Sequence, residues 1–429
     1  MKRKSDSISS VMTSRRFKPE KVDYFADLPS SIITHILLQL PIKAIFACKC
    51  VCRTWNALIL DPCFVKLYSE HASLCLMLRF HNPRLVSNTL HLIEHIPPKF
   101  EYVTVNFDPK FKLPFRNPET TIQVPHPIDD KFDVVNSCNG LLCLCEPNVS
   151  FSPLSELCSV NNLVVCNPIT GEFIRLPEAN GLLNFNGIPI SAGLGFQPKT
   201  NEYKVIRIWK WIHYYKPNIV VVEMHTIGTT TWRNVEFDPM FSFSRLESPA
   251  SVNGALHWIN FDNKKLSILS IDLESERIQS FPCPPPSSSS SDITLVELKG
   301  FLYLCEKILP NTWSVWLMKE YGIGESWTKV FCTDNFVLNP LNFRVCKPIK
   351  HFENGCGALL LQPTNRCYLS VYYEPDKHRV AYLATKTAES FWYEPIGFES
   401  ILHIPSLISL KNLAKGNKVE VQNVHNLYL

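Results

Sequence analysis

Apolar residues recur at helical spacing only near the start of the chain. In residues 28–41, LPSSIITHILLQLP, every fourth position is apolar, and further apolar positions occupy the adjoining row of a helical wheel. This spacing predicts an amphipathic helix. Pro29 suits its first turn, and Pro41 ends it because proline disfavours helix in the residue before it. A second helix is predicted from Ile42 to about Leu60.

Three cysteines alternate in the stretch ACKCVCRTW, residues 47–55, inside this second helix. On such a helix Cys48 and Cys52 lie one turn apart, and Cys50 lies about 160° away around the axis. Side chains spread in this way cannot all reach one ion, and a structural zinc site usually needs four ligands. We therefore interpret the three cysteines as small buried apolar residues and not as a metal or redox site.

Beyond residue 70 the helical spacing gives way to short runs rich in β-branched and aromatic residues. Examples are FEYVTVNF, NLVVCN, YKVIRIW and IVVVEMH, each bounded by turn residues. Such runs predict β-strands, and those that are apolar on both faces suit sheets covered on both sides. The predicted fold class is mainly β with a small N-terminal α module.

The β-rich region repeats itself when its glycines are aligned. Five glycines in similar surroundings are spaced by 55, 59, 46 and 55 residues: Gly140, Gly195, Gly254, Gly300 and Gly355. We interpret them as turn glycines. Most are followed by a second unit of strand, polar turn and strand, as in VVCNPITGEFIRLP.

A repeat of this length, built from about four strands, is typical of a β-propeller blade in the kelch size range. Five blades are visible, and residues 72–128 hold enough strand-like sequence for a sixth. The later segment FESILHIPSLISL can then pair with the first blade and close the ring. We predict a kelch-like β-propeller with six blades, and five or seven blades are the alternatives.

The helical module is too small to bury all of its apolar side chains. Residues 27–68 form short helices with apolar residues on several faces, and segments of about 40 residues seldom enclose a core of their own. The large aliphatic side chains of the first helix represent on the order of 10 kcal/mol if buried. We therefore expect a partner protein to cover part of this surface.

The helical module resembles an F-box. The stretch LPSSIITHILLQLPIKAIFACKCVCRTWNALILDPCF has the leucine-proline start, the isoleucine-leucine helix, the second proline, the cysteine-valine-cysteine-arginine-x-tryptophan stretch and the aspartate-proline-x-phenylalanine close. The resemblance implies a three-helix motif that docks on the Skp-type adaptor, and through it on cullin, in an SCF (Skp, cullin, F-box) ubiquitin ligase. The matched positions expected at or beneath the adaptor interface are Leu28, Pro29, Ile32, Ile36, Leu37, Leu40, Pro41, Val51, Cys52 and Trp55.

The β-rich region is similar to the F-box-associated domain of the large plant F-box family, with its kelch-related and S-locus-like branches. The segments that carry the likeness occur in the order NSCNGLLCL, CNPITGEFIRLP, LGFQPKTNEYKVIRI, SVNGALHWI and ILSIDLESERIQSFP. The chain departs from the family in residues 81–130 and in the Pro/Ser run at 281–292. We interpret that run as a loop between blades, with an interdomain hinge as the alternative.

Net charge is concentrated at the start of the chain. Residues 1–23 hold seven of the 43 Lys and Arg and three of the 39 Asp and Glu, and so carry the whole net charge of +4. The remaining chain has none, which disfavours binding to nucleic acid. We divide the chain into a disordered basic tail (1–23), an F-box (24–70), an F-box-associated β-propeller-like domain (71–410) and a C-terminal tail (411–429).

The sequence indicates a soluble intracellular protein. It has no uninterrupted apolar stretch long enough to span a membrane, and its start lacks the apolar core of a signal peptide. The 16 scattered cysteines fit free thiols in a reducing compartment. We expect no membrane partner and a location in the nucleus, the cytoplasm or both. Residues 2–4 and 15–18 form either a nuclear import signal or part of a solvated tail.

The sequence contains little evidence for a catalytic site. The stretch HLIEH at 91–95 formally matches an inverted zinc-hydrolase motif, which needs a helix, but its surroundings indicate a strand. Recognisable nucleotide-binding and nucleophile motifs are missing, so we expect no catalytic residues, metal or cofactor. We interpret six tryptophans as blade-packing residues, with the floor of a recognition pocket as the alternative: Trp232, Trp258, Trp313, Trp316, Trp327 and Trp392.

The two resemblances together imply the substrate-recognition subunit of an SCF-type ubiquitin ligase. The F-box would bind the adaptor, and the propeller would bind a target protein for ubiquitination and degradation. One alternative is an F-box/kelch scaffold or sequestering protein that acts outside a ligase. Another is a propeller hydrolase, which the missing catalytic motifs disfavour.

Overall fold

The computed structural model describes residues 28–81, 86–94, 102–104, 110–114, 132–147, 158–177, 187–211, 219–243, 245–262, 265–284, 292–309, 312–332, 343–353, 356–363, 370–374, 379–384, 397–414 and 419–424. Contacts divide the chain into one unit that ends at Leu40 and a second that runs from Pro41 to Leu429. The predicted basic tail and residues 285–291 of the Pro/Ser run lie outside the described residues.

Five α-helices, one short 3-10 helix (Gly324–Ser326) and 26 strands make up the described fold. The helices are α1 (Ser30–Leu38), α2 (Ile42–Lys49), α3 (Arg53–Leu60), α4 (Pro62–His71) and α5 (Leu410–Ala414). The strands are β1 (Cys75–His81), β2 (Val86–Ile93), β3 (Tyr102–Thr104), β4 (Lys110–Lys112), β5 (Asp133–Cys138), β6 (Leu141–Pro147), β7 (Cys158–Asn167), β8 (Glu172–Arg175), β9 (Gly187–Gln197), β10 (Glu202–Trp211), β11 (Ile219–Thr226), β12 (Arg233–Asn234), β13 (Leu246–Val252), β14 (Ala255–Asp262), β15 (Lys265–Asp272), β16 (Ile278–Pro282), β17 (Ile293–Leu298), β18 (Phe301–Leu309), β19 (Thr312–Met318), β20 (Trp327–Cys332), β21 (Phe343–Glu353), β22 (Cys356–Pro363), β23 (Ser370–Glu374), β24 (Arg379–Ala384), β25 (Gly397–His403) and β26 (Gln422–Asn423).

The strands form six sheets, which are the six blades of a β-propeller. From the innermost strand outward, the blades are β25-β1-β2-β4 (blade 1), β5-β6-β7-β8-β26 (blade 2), β9-β10-β11-β12 (blade 3), β13-β14-β15-β16 (blade 4), β17-β18-β19-β20 (blade 5) and β21-β22-β23-β24-β3 (blade 6). The prediction of a mainly β fold with six blades is confirmed.

Three glycines of the repeat mark the hairpins between the first and second strands of blades 2, 4 and 5, and Gly355 lies outside the described residues. Asn139–Gly140, Asn253–Gly254 and Lys299–Gly300 each have positive φ at both residues. Two successive residues with positive φ are what a two-residue hairpin of type I′ requires, and glycine adopts that conformation without strain. We call the end of the propeller that carries these hairpins the hairpin face.

Gly195 differs from these three glycines, and the prediction that it lies in a turn is wrong. It pairs with Lys204 in the interior of β9, and the equivalent turn of blade 3 follows at residues 198–201. A Cβ at Gly195 would lie 2.7 Å from Leu273 Cδ1 and 2.9 Å from Leu256 Cγ. The glycine is therefore needed because blades 3 and 4 approach each other closely at this point.

The hydrophobic core lies between neighbouring blades. Separate clusters of buried side chains join blades 2 and 3, blades 3 and 4, blades 4 and 5, and blades 5 and 6. Blades 3, 4 and 5 thus bury both faces of their sheets, which explains why runs such as VVVEM in blade 3 carry apolar residues on successive positions. At α5 the C-terminal region joins the cluster of blades 2 and 3 through Leu410.

The ring closes in blade 1, where the two ends of the β-rich region meet. β25 pairs antiparallel with β1 over seven residue pairs, from Cys75 with His403 to His81 with Gly397. This is the closure predicted from the segment FESILHIPSLISL. In addition, β3 joins β24 in blade 6, and β26 from the predicted C-terminal tail joins β8 in blade 2.

Polar bonds connect the innermost strands around the ring. The Asn136 carboxamide donates to the Leu194 carbonyl at 2.8 Å and accepts from the Leu194 N–H at 2.9 Å, which ties β5 to β9. The Phe196 N–H donates to Ser251 Oγ at 3.2 Å and ties β9 to β13. Between β21 and β25, Lys347 Nζ donates to the Ser400 carbonyl at 3.2 Å.

Arg79 on β1 is buried at the junction of blades 1 and 2. Its guanidinium lies 2.5 Å from Glu399 Oε2 on β25 and 3.8 Å from Asp133 Oδ1 on β5. It also donates a hydrogen bond to the Phe132 carbonyl. Since only 1% of its side chain is exposed, the charge depends on these partners for its stability.

We expect Arg79→Met to lower the free energy of unfolding by about 3 kcal/mol, because the Glu399 carboxylate loses its guanidinium partner. Denaturant unfolding of the full chain, followed by tryptophan fluorescence, measures the change. The matched control is Lys199→Met, which removes an exposed ion pair with Glu274 and is expected to leave the unfolding midpoint unchanged. Equal midpoints for the two variants would contradict the role given to Arg79.

Three buried histidines predict a loss of stability in acid. Burial lowers the pKa of His225 and of His257 to about 4 and that of His403 to about 3. The His257 ring lies 3.2 Å from the Ala250 carbonyl through Nδ1 and 2.8 Å from the Tyr321 hydroxyl through Nε2. A carbonyl can only accept, so Nδ1 carries a proton, and the lowered pKa keeps the ring of the folded chain neutral at pH 7.

In the unfolded chain these histidines regain their ordinary pKa of 6.5. Below that pH the unfolded state binds protons that the folded state does not, so stability falls as the pH drops. We expect a loss on the order of 2 kcal/mol per histidine between pH 7.5 and pH 5. Unfolding midpoints at pH 7.5, 6 and 5 test this, and a midpoint that is constant over this range would refute it.

Candidate functional site

Helix α1 buries one row of apolar side chains and exposes the next. Ile33 and Leu37, one turn apart, are buried. Ile32 and Ile36, also one turn apart, are 46% and 42% exposed. Because exposed aliphatic pairs are unfavourable in water, this row is suited to burial against another protein.

The predicted second helix is interrupted after Lys49. Cys52 has an extended backbone with φ −157° and ψ 166°, and its Sγ accepts a 3.4 Å hydrogen bond from the Trp55 N–H. It therefore caps α3, and the prediction of one continuous helix from Ile42 to Leu60 is wrong. Cysteine is not among the residues that usually cap helices, so the sequence contains no ordinary signal for this break.

The interpretation of the three cysteines as buried residues also needs correction. Cys48 is partly buried, whereas Cys50 and Cys52 are exposed. The early end of α2 places them in a turn that faces solvent instead of in the packed side of a helix. Elsewhere the described thiols are mostly buried, and burial raises the pKa of Cys75 and of Cys138 to about 12, which keeps them protonated.

A proline divides the end of the helical module. The Asp61 carboxylate accepts hydrogen bonds from the N–H groups of Cys63 at 2.8 Å and Phe64 at 3.3 Å, and Pro62 occupies the first position of α4. Both features start a new helix. The described module therefore has four helices, α1 to α4, where the resemblance implied a three-helix motif.

Within the unit that begins at Pro41, polar contacts attach α2 and α4 to the propeller. Glu94, directly after β2, accepts a 2.6 Å hydrogen bond from the Ile42 N–H at the start of α2. Burial raises the pKa of Glu94, and the bond from Ile42 opposes this shift because it stabilises the carboxylate. On α4, Ser69 Oγ lies 3.2 Å from Ser406 Oγ, just beyond β25.

These contacts also account for the HLIEH stretch. His91 lies on β2, a strand, as its surroundings predicted. Glu94 acts as a helix cap, and His95 lies outside the described residues. The helix that a zinc-hydrolase motif needs is therefore not formed at His91.

A channel of about 270 Å³ lies at the centre of the propeller and is lined by its innermost strands. Two of its charged residues already bind backbone groups. Lys347 donates to the Ser400 carbonyl, and burial lowers its pKa. Glu297 accepts a 2.8 Å bond from the Gly300 N–H, and burial raises its pKa. Lys347 thus joins blades 6 and 1, and Glu297 holds the hairpin between β17 and β18.

The tryptophans pack between and within blades. Trp258 and Trp313 are fully buried. Trp327 Nε1 donates to the Pro282 carbonyl at 3.2 Å, between blades 5 and 4, and Trp232 Nε1 donates to the Pro177 carbonyl at 2.7 Å, between blades 3 and 2. The blade-packing interpretation is confirmed for the described tryptophans, and Trp392 lies outside them.

The predicted adaptor positions differ in exposure, and their role stays a prediction. The exposed ones are Pro29, Ile32, Ile36, Pro41, Val51 and Cys52. The half-buried ones are Leu28, Leu40 and Trp55. Leu37 is fully buried, so it can support the module from within but offers no surface.

The sequence analysis missed two exposed apolar residues of the module. Leu60, at the end of α3, is 57% exposed, and Leu67, on α4, is 37% exposed. Their hydropathy is visible in the sequence, but their exposure depends on the break at Asp61, which turns α4 away from the line of α3.

Neither a metal site nor a membrane span is found in the part of the chain that the structure describes. No three His, Cys, Asp or Glu side chains there are grouped closely enough to hold a metal ion. The helices in that part are all too short or too polar to cross a bilayer.

The fold and the exposed helical module define an interaction protein built on a β-propeller. Residues 25–67 match the F-box domain, and residues 92–410 match the F-box associated beta propeller domain. The chain therefore belongs to the F-box proteins that carry an F-box-associated β-propeller. These domains are typical of non-catalytic substrate receptors, and the F-box implies binding to a Skp-type adaptor.

Similar proteins are known from Arabidopsis thaliana. F-box protein At3g07870 is 28% identical over 387 residues, which cover 81% of this chain and 85% of the relative. F-box protein CPR1 is 24% identical over 404 residues, which cover 88% of this chain and 89% of the relative. F-box/kelch-repeat protein At3g23880 is 23% identical over 318 residues, which cover 71% of this chain and 79% of the relative.

Solved structures show only weak likeness. TolB from Acinetobacter baumannii is 11% identical to this chain and has a TM-score of 0.40. The match covers 78% of this chain and 67% of the TolB chain. The β-propeller domain of the Trilobed protease from Pyrococcus furiosus is 12% identical and has a TM-score of 0.30. That match covers 61% of this chain and 72% of the protease chain. Likeness at this level says nothing about function.

Neighbouring residues of α1 provide a test of the two rows. We expect Leu37→Ala to destabilise the helical module by about 2–5 kcal/mol, because it removes a fully buried side chain. Ile36→Ala, which truncates an exposed side chain, is expected to change stability by no more than about 0.5 kcal/mol. Hydrogen exchange of the α1 amides measures the stability change in both variants. A larger loss of stability in Ile36→Ala than in Leu37→Ala would contradict the assignment of Leu37 to the buried row and Ile36 to the exposed row.

Proposed function

We propose that this protein is the substrate-recognition subunit of an SCF-type ubiquitin ligase. The observation that carries the proposal is the exposed aliphatic row of Ile32 and Ile36 on α1, within the residues that match the F-box domain. In the proposed complex the adaptor covers this row, and Val51, which is 62% exposed, adds to the buried apolar surface. The propeller binds a target protein for ubiquitination and degradation.

The proposed contribution of the chain is positional. Binding the adaptor and the target at once raises the effective concentration of the target's lysines near the ubiquitin-charged enzyme. No catalytic group of this chain takes part in that step. We place the complex in the nucleus, the cytoplasm or both, which the basic clusters at residues 2–4 and 15–18 support.

Adaptor binding is the first test. We expect the double variant Ile32→Asp/Ile36→Asp to bind a purified Skp-type adaptor at least about 100-fold more weakly than wild type, because two buried contacts become buried charges. Titration calorimetry with the full chain measures this. Met240→Asp is the control, since Met240 is 89% exposed and lies outside the helical module.

A wild-type chain that binds no adaptor would exclude the ligase function. Target lifetime then separates a receptor from a scaffold. A co-purifying target of a receptor has a longer half-life in cells that carry the Ile32→Asp/Ile36→Asp variant. The partner of a sequestering scaffold has the same half-life with either chain.

A further inference from the structure

A cleft of about 940 Å³ lies between the helical module and the hairpin face, within the unit that begins at Pro41. One wall is made by the end of α3 and by α4, and includes Leu60, Cys63 and Val65. The other wall is made by the propeller and α5, and includes Tyr203 and Leu407. Its volume is in the range of sites that bind ligands or peptide side chains.

The floor of the cleft is apolar and firmly held. Tyr203 is 3% exposed, and its hydroxyl donates to the Asn139 carbonyl at 3.0 Å. Its ring packs against Phe196, with centroids 4.9 Å apart. Leu407 is also buried, and Ile408 is partly buried. This floor can accept apolar side chains without rearrangement.

Three carboxamides surround this floor, those of Asn139, Asn201 and Asn412. Among the described residues, the side chains of Asn201 and Asn412 have no hydrogen-bond partner, and both residues are exposed. A carboxamide offers a donor and an acceptor together, which is also what a peptide group offers. Carboxamides around an apolar floor therefore suit a polypeptide segment whose side chains enter the cleft.

The location of the cleft favours one source for this segment. Leu60, Cys63 and Val65 belong to residues 25–67, the part that matches the F-box domain. Leu60 is also one of the exposed apolar residues of the helical module. A protein that docks on α3 and α4 already lies beside the cleft, so any segment it inserts is present at high effective concentration.

We infer that the cleft binds an apolar segment of the Skp-type adaptor, so that the adaptor's footprint extends beyond the F-box onto the propeller and α5. This inference rests on the proposed function, because it names the same partner. Lys66 and Glu70 on α4, both exposed at the edge of the cleft, provide one charge of each sign for the polar side of that segment.

The test places a large charged group over the cleft from the propeller side. Asn412→Arg fills the opening at α5, and we expect it to weaken binding of a purified Skp-type adaptor to the full chain by about tenfold, mainly through faster dissociation. Thr200→Arg is the matched control, because Thr200 is exposed, adjoins Asn201 and does not line the cleft. The affinity of Thr200→Arg for the adaptor is expected to lie within about twofold of the wild-type affinity.

A second measurement does not depend on a variant. Hydrogen exchange of the α5 amides, Leu410–Ala414, is expected to slow when the adaptor binds wild type, although α5 lies outside the F-box match. Unchanged exchange together with wild-type affinity of Asn412→Arg would overturn the inference. Loss of binding by Ile32→Asp/Ile36→Asp in the same assay would show that the proposed function still stands. If wild type binds no adaptor, both fail.

Discussion

The pairing of β25 with β1 is the constraint on which the rest of the structure depends. β25 is the innermost strand of blade 1, yet in the chain it follows every other described strand except β26. The seven residue pairs between these strands join positions more than 300 residues apart. Blade 1 therefore lacks its inner strand until the rest of the ring is in place, and such long-range pairing is expected to form late in folding.

The same closure positions the helical segment from α2 to α4. Only residues 72–74 separate α4 from β1, so this segment emerges on the hairpin face beside the end of β25. Ser69 meets Ser406 there, and Glu94 caps α2 from the same blade. In the proposed function this arrangement matters because a receptor works by holding two partners at a fixed separation. Blade 1 thus connects α2 and α4 directly to the propeller.

Buried polar groups make the ring specific as well as stable. Apolar faces of neighbouring blades could slide past one another at little cost, since apolar packing is not directional. Arg79, Asn136 and Ser251 bind particular atoms across blade boundaries and so select one register. Lys347 does the same between blades 6 and 1, and Glu297 fixes the first hairpin of blade 5. For this reason we assign the channel's charged residues to the architecture and place the inferred adaptor contact in the cleft.

Features set by local backbone chemistry were predictable from the sequence by itself. The period of α1, the paired positive φ at Asn139–Gly140 and Asn253–Gly254, and the number of blades all follow from patterns within a few residues or their repetition. Tertiary structure alone decided that Ile33 is buried and Ile32 is exposed, that Cys52 ends a helical run, and that Gly195 lies in a strand. In each case the outcome depends on local contacts too weak to read from sequence or on neighbours supplied by distant parts of the chain. The packed surroundings of a residue, not its own pattern, determine which face is buried and where one blade meets the next.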